Sequence, residues 1–553
     1  MKVEISMRHQ ILVFIIVIFS IVSLYAQSTD PSLPHLVHKN GRHALIVDGQ
    51  PFFMLGGQAH NSSAWPGLLT QVWSTIEAMH ANTLEIPIYW QQIEPEEGTF
   101  DFSILDTIIK QARERDVRLV LLWFATWKNG NTDYTPNWVK LNPKKYPHIV
   151  GRDGEIVISP SPHAKTTMEA DAKAFTAVMK HLKDFDPQHT VIMVQVENEP
   201  GTYGSTRDFS EEAEKLFQGP VSAALLKPEV LKALNKPTDA KGTWLQVFGS
   251  DADEFFHAWS VASYINYVAA AGKAVNPLPM YVNVALEGEP GGAMHNVIPI
   301  YKVAAPAISV LAPDIYQPME KAMKFMEYYD RPDNPLFVPE TFPSVDYLYE
   351  VIRRGGIGFS PFGVDRIPAN PSAEVGAGSR VSPLATQYDL LQLGDRELAK
   401  WIFEDRIHVV KVTEQNAQKE VDLGDWKARI YFSTGRGWGP PPAFQPEAAD
   451  GSEGETEEET GFSFGAPPKP SGRVLIAQLG QNEFVVMATQ CRVAFQSSGA
   501  NKGKSWQFLK VEEGLYEDGT FKLLRLRNGD EVGWATMSFD TEPALLRISM
   551  TAW

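Results

Sequence analysis

Two glutamates in this chain occupy the same kind of position. Glu199 closes the run Val191-Ile-Met-Val-Gln-Val-Glu-Asn-Glu199, and Glu340 closes Leu336-Phe-Val-Pro-Glu340. Each run is apolar and short enough to be a fully buried strand, and Pro or Gly turn residues follow each glutamate. A carboxylate at the lip of a buried strand is costly unless it is paired or used. Two of them flanking one bond suit glycoside hydrolysis. In that chemistry Glu340 attacks the anomeric carbon, while Glu199 protonates the leaving oxygen and later activates water. Burial and mutual repulsion keep the acid protonated, and hydrogen-bond donors keep the nucleophile ionised. A retaining enzyme needs the two carboxyl groups about 5–5.5 Å apart. Taken singly, either glutamate reads as a surface or N-cap residue; the shared strand-end context favours a catalytic pair.

Several neighbours fit the same site. Asn198 could bind the sugar 2-hydroxyl, and Tyr316 could donate to Glu340 and hold it ionised. Gln58 and Asn283 lie at strand ends and could bind other hydroxyls. Tyr89, Trp90 and Trp123 sit where ring faces could stack on a pyranose, with Trp90 and Trp123 expected to close their strands. Glu197 is expected to make a structural pair or a supporting contact. No metal is expected: Cys491 is the only cysteine, and His60 has no His or carboxylate partner at ligand spacing. No cofactor is expected either. Cys491 lies in an apolar, strand-like run and reads as a packed thiol.

The elements that must hold these residues alternate. Candidate strands cover residues 52–58, 82–90, 117–124, 191–199, 281–285, 308–316, 336–340 and 357–362, with helical periodicity at 68–80, 104–115, 168–184, 253–274 and 347–354. Eight βα units imply a closed (β/α)8 TIM barrel, an α/β fold whose active site gathers at the C-terminal ends of its strands. No Gly-rich phosphate fingerprint follows the first strand, which argues against a doubly wound open sheet. Beyond Trp401 the pattern becomes short alternating runs with Gly and Asn turns, as expected of a smaller all-β, sandwich-like domain. The expected division is a leader at 1–26, the barrel with a short N-terminal hairpin at 27–402, and the β-domain at 403–553. Within the last, residues 440–470 read as a mobile acidic insert, in which Glu447, Asp450, Glu453, Glu455 and Glu457 to Glu459 have no Lys or Arg among them.

Composition bounds the partners. Of 553 residues 44% are hydrophobic, enough for more than one core, and the net charge of −17 with no basic stripe argues against nucleic acid. Lys2 and Arg8, the apolar run 11–22 and Ala26 resemble a cleaved signal peptide, too short to span a bilayer. Export to the periplasm or beyond is therefore expected, with no membrane span in the mature chain. A carbohydrate is the expected partner, and self-association is left open.

The strand-end motifs resemble family 35 glycoside hydrolases, the retaining β-galactosidases. Gln195-Val-Glu-Asn-Glu199-Pro-Gly is similar to their acid/base motif, and Pro339-Glu340-Thr to their nucleophile position. Tyr89-Trp90-Gln-Gln-Ile-Glu-Pro-Glu-Glu-Gly-Thr-Phe-Asp101 resembles a signature shared by families 35 and 42. The likeness spans roughly residues 41–399 and implies an exported β-galactosidase of a divergent bacterial branch with an uncharacterised C-terminal β-domain. Plant xyloglucan side chains are one substrate this implies. One element departs. Where the family carries a Glu that grips galactose after strand three, this chain reads Leu121-Leu-Trp-Phe-Ala-Thr-Trp-Lys-Asn-Gly130. Another clan specificity, such as β-glucosidase or endo-β-glycanase, stays open on that ground, as does a non-catalytic carbohydrate-binding barrel.

Overall fold

A computed structural model describes residues 33–366, 378–433, 440, 442–444, 470–541 and 543–553. The expected leader and most of the acidic insert lie outside the described residues.

Eight parallel strands close a barrel. We number them β1 (Met54–Gln58), β2 (Thr83–Tyr89), β3 (Arg118–Lys128), β4 (Val191–Asn198), β5 (Met280–Ala285), β6 (Val310–Ile315), β7 (Phe337–Val338 with Glu340–Thr341) and β8 (Gly358–Phe359). The sheet runs in this order and closes where β8 pairs with β1, Gly358 opposite Met54. Pro339 splits β7, because its ring nitrogen has no N–H to give the ladder. One half then pairs with β8 and the other with β6. The strands are near-continuous buried runs, as parallel strands covered on both faces must be.

Helices Pro66–Ala78, Ser103–Glu114, Lys165–Phe185, Ala252–Lys273, Met319–Tyr329 and Val345–Arg354 form the outer layer. Apolar residues of Ser103–Glu114 recur at Leu105, Ile108, Ile109 and Ala112, the spacing of one helical face, and these are the buried ones. The expected N-terminal hairpin is a three-stranded sheet of His35–Lys39, Arg42–Val47 and Gln50–Phe52.

The C-terminal part is a sandwich of two antiparallel sheets. One has six strands, including Ile407–Thr413, Ser471–Gly480, Glu483–Thr489 and Ala544–Ala552; the other has four, including Trp426–Phe432 and Cys491–Ser497. Strand alternation gives the larger sheet two buried faces. Val474, Ile476, Val486 and Leu546 fill the sandwich, while Leu475, Ala477, Val485, Met487 and Leu545 join the barrel's core. Cys491 is fully buried, and burial pushes its thiol far up. Among the described residues, no helix is long and apolar enough to cross a membrane.

Candidate active site

Glu199 and Glu340 meet at the mouth of the barrel. One carboxylate oxygen from each lies within 4.8 Å of the other and of a third carboxyl, Asp314 at the end of β6. All three are buried. The register explains the grouping: Asp314 pairs with Glu340 across β6 and β7, and paired residues of parallel strands share a face.

The two glutamates have different surroundings. Glu340 accepts from Tyr316 Oη at 2.9 Å and from Gln58 Nε2 at 3.1 Å. Burial and the adjacent charge of Glu340 push Tyr316 far up, so it stays a donor. Glu199 is pushed up to about 7, first by burial and then by the charge of Glu340. Glu340 thus receives two hydrogen-bond donors, while Glu199 is poised to hold a proton.

The backbone around Glu199 is strained and braced. Glu197 and Glu199 both have positive φ, 64° and 45°, which non-glycine residues seldom adopt. The N–H groups of Asn129 and Gly130 donate to the carbonyls of Asn198 and Glu199 at 3.1 and 3.2 Å. The N–H of Glu199 donates to Asn283 Oδ1 at 2.9 Å, and Asn283 Nδ2 donates to Asp314 Oδ2 at 2.7 Å. Asn283, expected to meet a hydroxyl, therefore spends its amide on bracing. Gln58 likewise gives its N–H to Glu340, with its Oε1 unpartnered. Glu197 takes the supporting place expected of it: its Oε2 accepts from the Trp127 N–H at 2.7 Å, and burial, then the charge of Asp171 on helix Lys165–Phe185, push its carboxyl well up. Both atoms of the buried Asn198 amide lack a protein partner, which leaves two polar groups for a ligand.

Two expected stacking residues are placed elsewhere. Trp90 follows β2 rather than closing it; it starts the helical turn Trp90–Ile93, fully buried, with Nε1 donating to Glu94 at 2.9 Å and its ring edge-on to Trp138. Trp123 faces outward from β3. Its Nε1 donates to Asp171 at 2.9 Å and its ring packs on Phe175, both on the covering helix. Neither offers a free ring face. Tyr89 does lie at the mouth, stacked on Tyr134 at 4.9 Å, but it is itself buried. The half-open rings are Trp65, 46% exposed and stacked over Tyr89, and Tyr203, 41% exposed and electrically coupled to Glu199.

Sequence reasoning missed Asp314, Glu289, Trp65 and Tyr203. Asp314 had a signal, since it precedes Tyr316 by two positions and shares its face of the strand. Glu289, in the loop after β5, is buried with Oε2 accepting from the Ala285 N–H at 2.9 Å. Its Cγ lies 2.5 Å from where a Cβ on Gly201 would stand, so the Glu199-Pro-Gly turn requires that glycine. Among the described residues, Glu199, Asp314 and Glu340 are the carboxylates spaced to hold a cation. Asn283, Gln58 and Tyr316 already give hydrogen bonds to two of the three. A groove of about 500 Å³ between Ile407–Thr413 and Gln418–Asp422 contains none of this cluster.

Residues 64–264 match the model of glycoside hydrolase family 42, described as "Beta-galactosidase", and residues 384–537 match a "Domain of unknown function (DUF5597)". A β-galactosidase of Xanthomonas manihotis is 25% identical over 184 residues, 31% of this chain and 28% of that protein. β-Galactosidase GalA of Bacillus licheniformis is 27% identical over 156 residues, 27% and 22% of the two chains. Beta-galactosidase 14 of Arabidopsis thaliana is 23% identical over 206 residues, 36% and 22%. The chain spans less than a third of the length of these curated relatives. Among solved structures, a β-galactosidase from Bacillus circulans sp. alkalophilus aligns over 63% of this chain and 56% of its own, at 17% identity and a TM-score of 0.43. The barrel is thus similar in sequence to β-galactosidase glycoside hydrolases, and its family match is to family 42.

Proposed function

We propose that the protein is a retaining glycoside hydrolase that releases terminal β-D-galactose from oligo- or polysaccharide side chains. The observation that carries this is the pair Glu199 and Glu340, with carboxylate oxygens within 4.8 Å across the barrel mouth. That spacing suits direct attack by one carboxylate and leaves too little room for the water an inverting enzyme needs, whose carboxyls stand about 6.5–9.5 Å apart.

Glu340, held as an anion by Tyr316 and Gln58, attacks the anomeric carbon as Glu199 gives its proton to the leaving oxygen. Glu199, now a carboxylate, takes a proton from water, and that water displaces Glu340 with a second inversion. Asn198 binds the 2-hydroxyl with its unpartnered amide. The reaction as written uses no metal or cofactor.

Galactose rests on the family 42 match and the β-galactosidase relatives. Membership of family 35 rests on the resemblance at residues 195–201 and 339–341. Export follows from the N-terminal pattern, and a plant xyloglucan side chain is the polymer that this branch suggests. A second reading, β-glucosidase or endo-β-glycanase, has its own observation: Lys128, Asn129 and Gly130 stand where a galactose-gripping Glu is expected.

A panel of aryl β-glycosides, assayed with the wild type and Glu340→Gln, separates these readings. Turnover of the β-galactoside, abolished in the variant, is expected. Cleavage of the β-glucoside alone would overturn the galactose reading. Proton NMR of the first product anomer tests retention.

A further inference from the structure

Three carboxyls within 4.8 Å cannot all be ionised in a buried pocket. Each must be assigned a state, and the hydrogen bonds decide which. Glu340 has two donors. Asp314 has one, Asn283 Nδ2, and its buried Oδ1 accepts from no N–H or hydroxyl donor. A carboxyl oxygen of Glu199 lies within 4.8 Å of one of Asp314, and two buried carboxyls this close can hydrogen-bond only if a proton lies between them.

We infer that Asp314 is a positioning residue of this site: a neutral carboxyl, clamped by Asn283, that donates its O–H to Glu199. The inference rests on the acid/base reading of Glu199. It extends that reading to a residue whose work is done through another. Asn283 holds both ends of the arrangement, with Oδ1 on the Glu199 N–H and Nδ2 on Asp314. Turning Glu199 away from the mouth would break the bond to Asp314.

The surrounding charges favour the proton on Asp314. Glu199 from β4, Glu340 from β7 and Glu289 from the loop after β5 all face it and all oppose its ionisation. Tyr316, Tyr281, Tyr203 and Tyr329 also couple to it, each a neutral phenol. The charge of Lys128 acts on Glu199 and Glu289. Burial, then Glu340 and Glu199, hold Asp314 well above the usual carboxylate range. The O–H it donates helps Glu199 exist as a carboxylate once its proton has gone to the leaving group. Glu199 must be anionic to accept a proton from water in the second step.

The test titrates Glu199 directly. Protein labelled with ¹³C at glutamate side-chain carboxyls is followed by NMR against pH, with the Glu199 signal assigned by its loss in Glu199→Gln. In Asp314→Leu, which removes the donor, the Glu199 midpoint is expected to rise by about one unit, a tenfold gain in proton affinity. Asp314→Asn keeps a donor of similar shape, and its midpoint should stay near the wild type. A fall in both variants would mean that Asp314 is an anion and overturn the inference; no movement in either would do the same. Should Asp314→Leu not fold, the wild-type minus Asp314→Asn infrared difference decides: a protonated carboxyl C=O stretch at pH 7 is expected, and its absence overturns the inference. Neither readout needs turnover. A protein inactive on aryl β-galactosides would sink the galactosidase reading and leave this one to be judged by the titration.

Discussion

Tyr316 donates its phenolic O–H to Oε1 of Glu340 at 2.9 Å, on the side of the carboxylate opposite Gln58. The ring is fixed edge-on against Phe342 at 4.8 Å, so the donor does not have to be ordered when substrate binds. A hydrogen bond to a charged group is worth about 1.5–3 kcal/mol. Tyr316→Phe keeps the ring and removes the donor. It is expected to lower kcat/KM on an aryl β-galactoside about tenfold to a hundredfold with little change in thermal midpoint. An unchanged kcat/KM would show that Glu340 does not depend on this donor.

Glu199 makes a separate prediction. Its carboxyl is pushed up to about 7 by burial and by the negative charge of Glu340. The acid must be protonated to act, so kcat/KM should fall as pH rises through about 7. Removing the acid matters less when the leaving group needs no proton. Glu199→Ala should therefore lose far more activity on alkyl galactosides than on 2,4-dinitrophenyl galactoside, and azide should rescue the latter as a β-galactosyl azide. Equal losses on both substrates would remove Glu199 from the acid/base role.

The glutamates were legible in the sequence because each ends an apolar run, and an apolar run ending in a charge marks both a strand and its edge. The barrel was legible from the alternation of such runs with amphipathic stretches. Facing was not. Within a fully buried strand, periodicity does not tell inside from outside, so Trp123 could be set at a strand end but not on a face. Register settles it: Trp123 pairs with Ile88 and Phe124 with Tyr89, and the Trp123 ring meets the helix layer. Asp314 was hidden for the converse reason. It lies between Pro313 and Ile315 in a run that reads as strand interior; its offset from Tyr316 marks a shared face, and its pairing with Glu340 brings it to the mouth. Tyr203 and Trp65 sit on loops, where no period constrains direction.

Glu85 couples the barrel interior to pH. It lies inside the barrel on β2, where Tyr281 of β5 donates to it at 2.8 Å. Burial raises it to about 8, with the Glu340 charge acting in the same direction. The folded protein thus keeps a proton that the unfolded chain sheds above its ordinary carboxylate value of about 4.3. Stability must fall as pH rises from there towards about 8, and level off beyond. Glu85→Gln removes this linkage. Its thermal midpoint should decline less than the wild type's between pH 5 and 8, a difference on the order of a few kcal/mol at the upper end. Parallel curves would mean that Glu85 is ionised in the folded state.

Asp346 makes a charged tie between the β-sandwich and the barrel, beside the apolar contact of the larger sheet. Asp346, in the first turn of helix Val345–Arg354, pairs with Arg473 and with Lys411 at 3.0 Å, both on the six-stranded sheet. Burial opposes the charge on Asp346, but the two cations hold its carboxyl below the usual range. Arg473 is itself buried, with its guanidinium 5.4 Å from the ring of Tyr349, which in turn bonds Gln387. This contact lies on the outer helices, and none of its residues bonds Glu199, Asp314 or Glu340. Arg473→Met keeps the apolar stem and leaves Asp346 with Lys411 alone. We expect a loss of about 2 kcal/mol in stability, seen as a lower thermal midpoint. Turnover per folded molecule should stay within about twofold of the wild type, since a shift of less than half a kcal/mol in the barrier is all that a covering domain would transmit. A variant that kept its midpoint but lost turnover would show instead that the sandwich shapes the catalytic mouth.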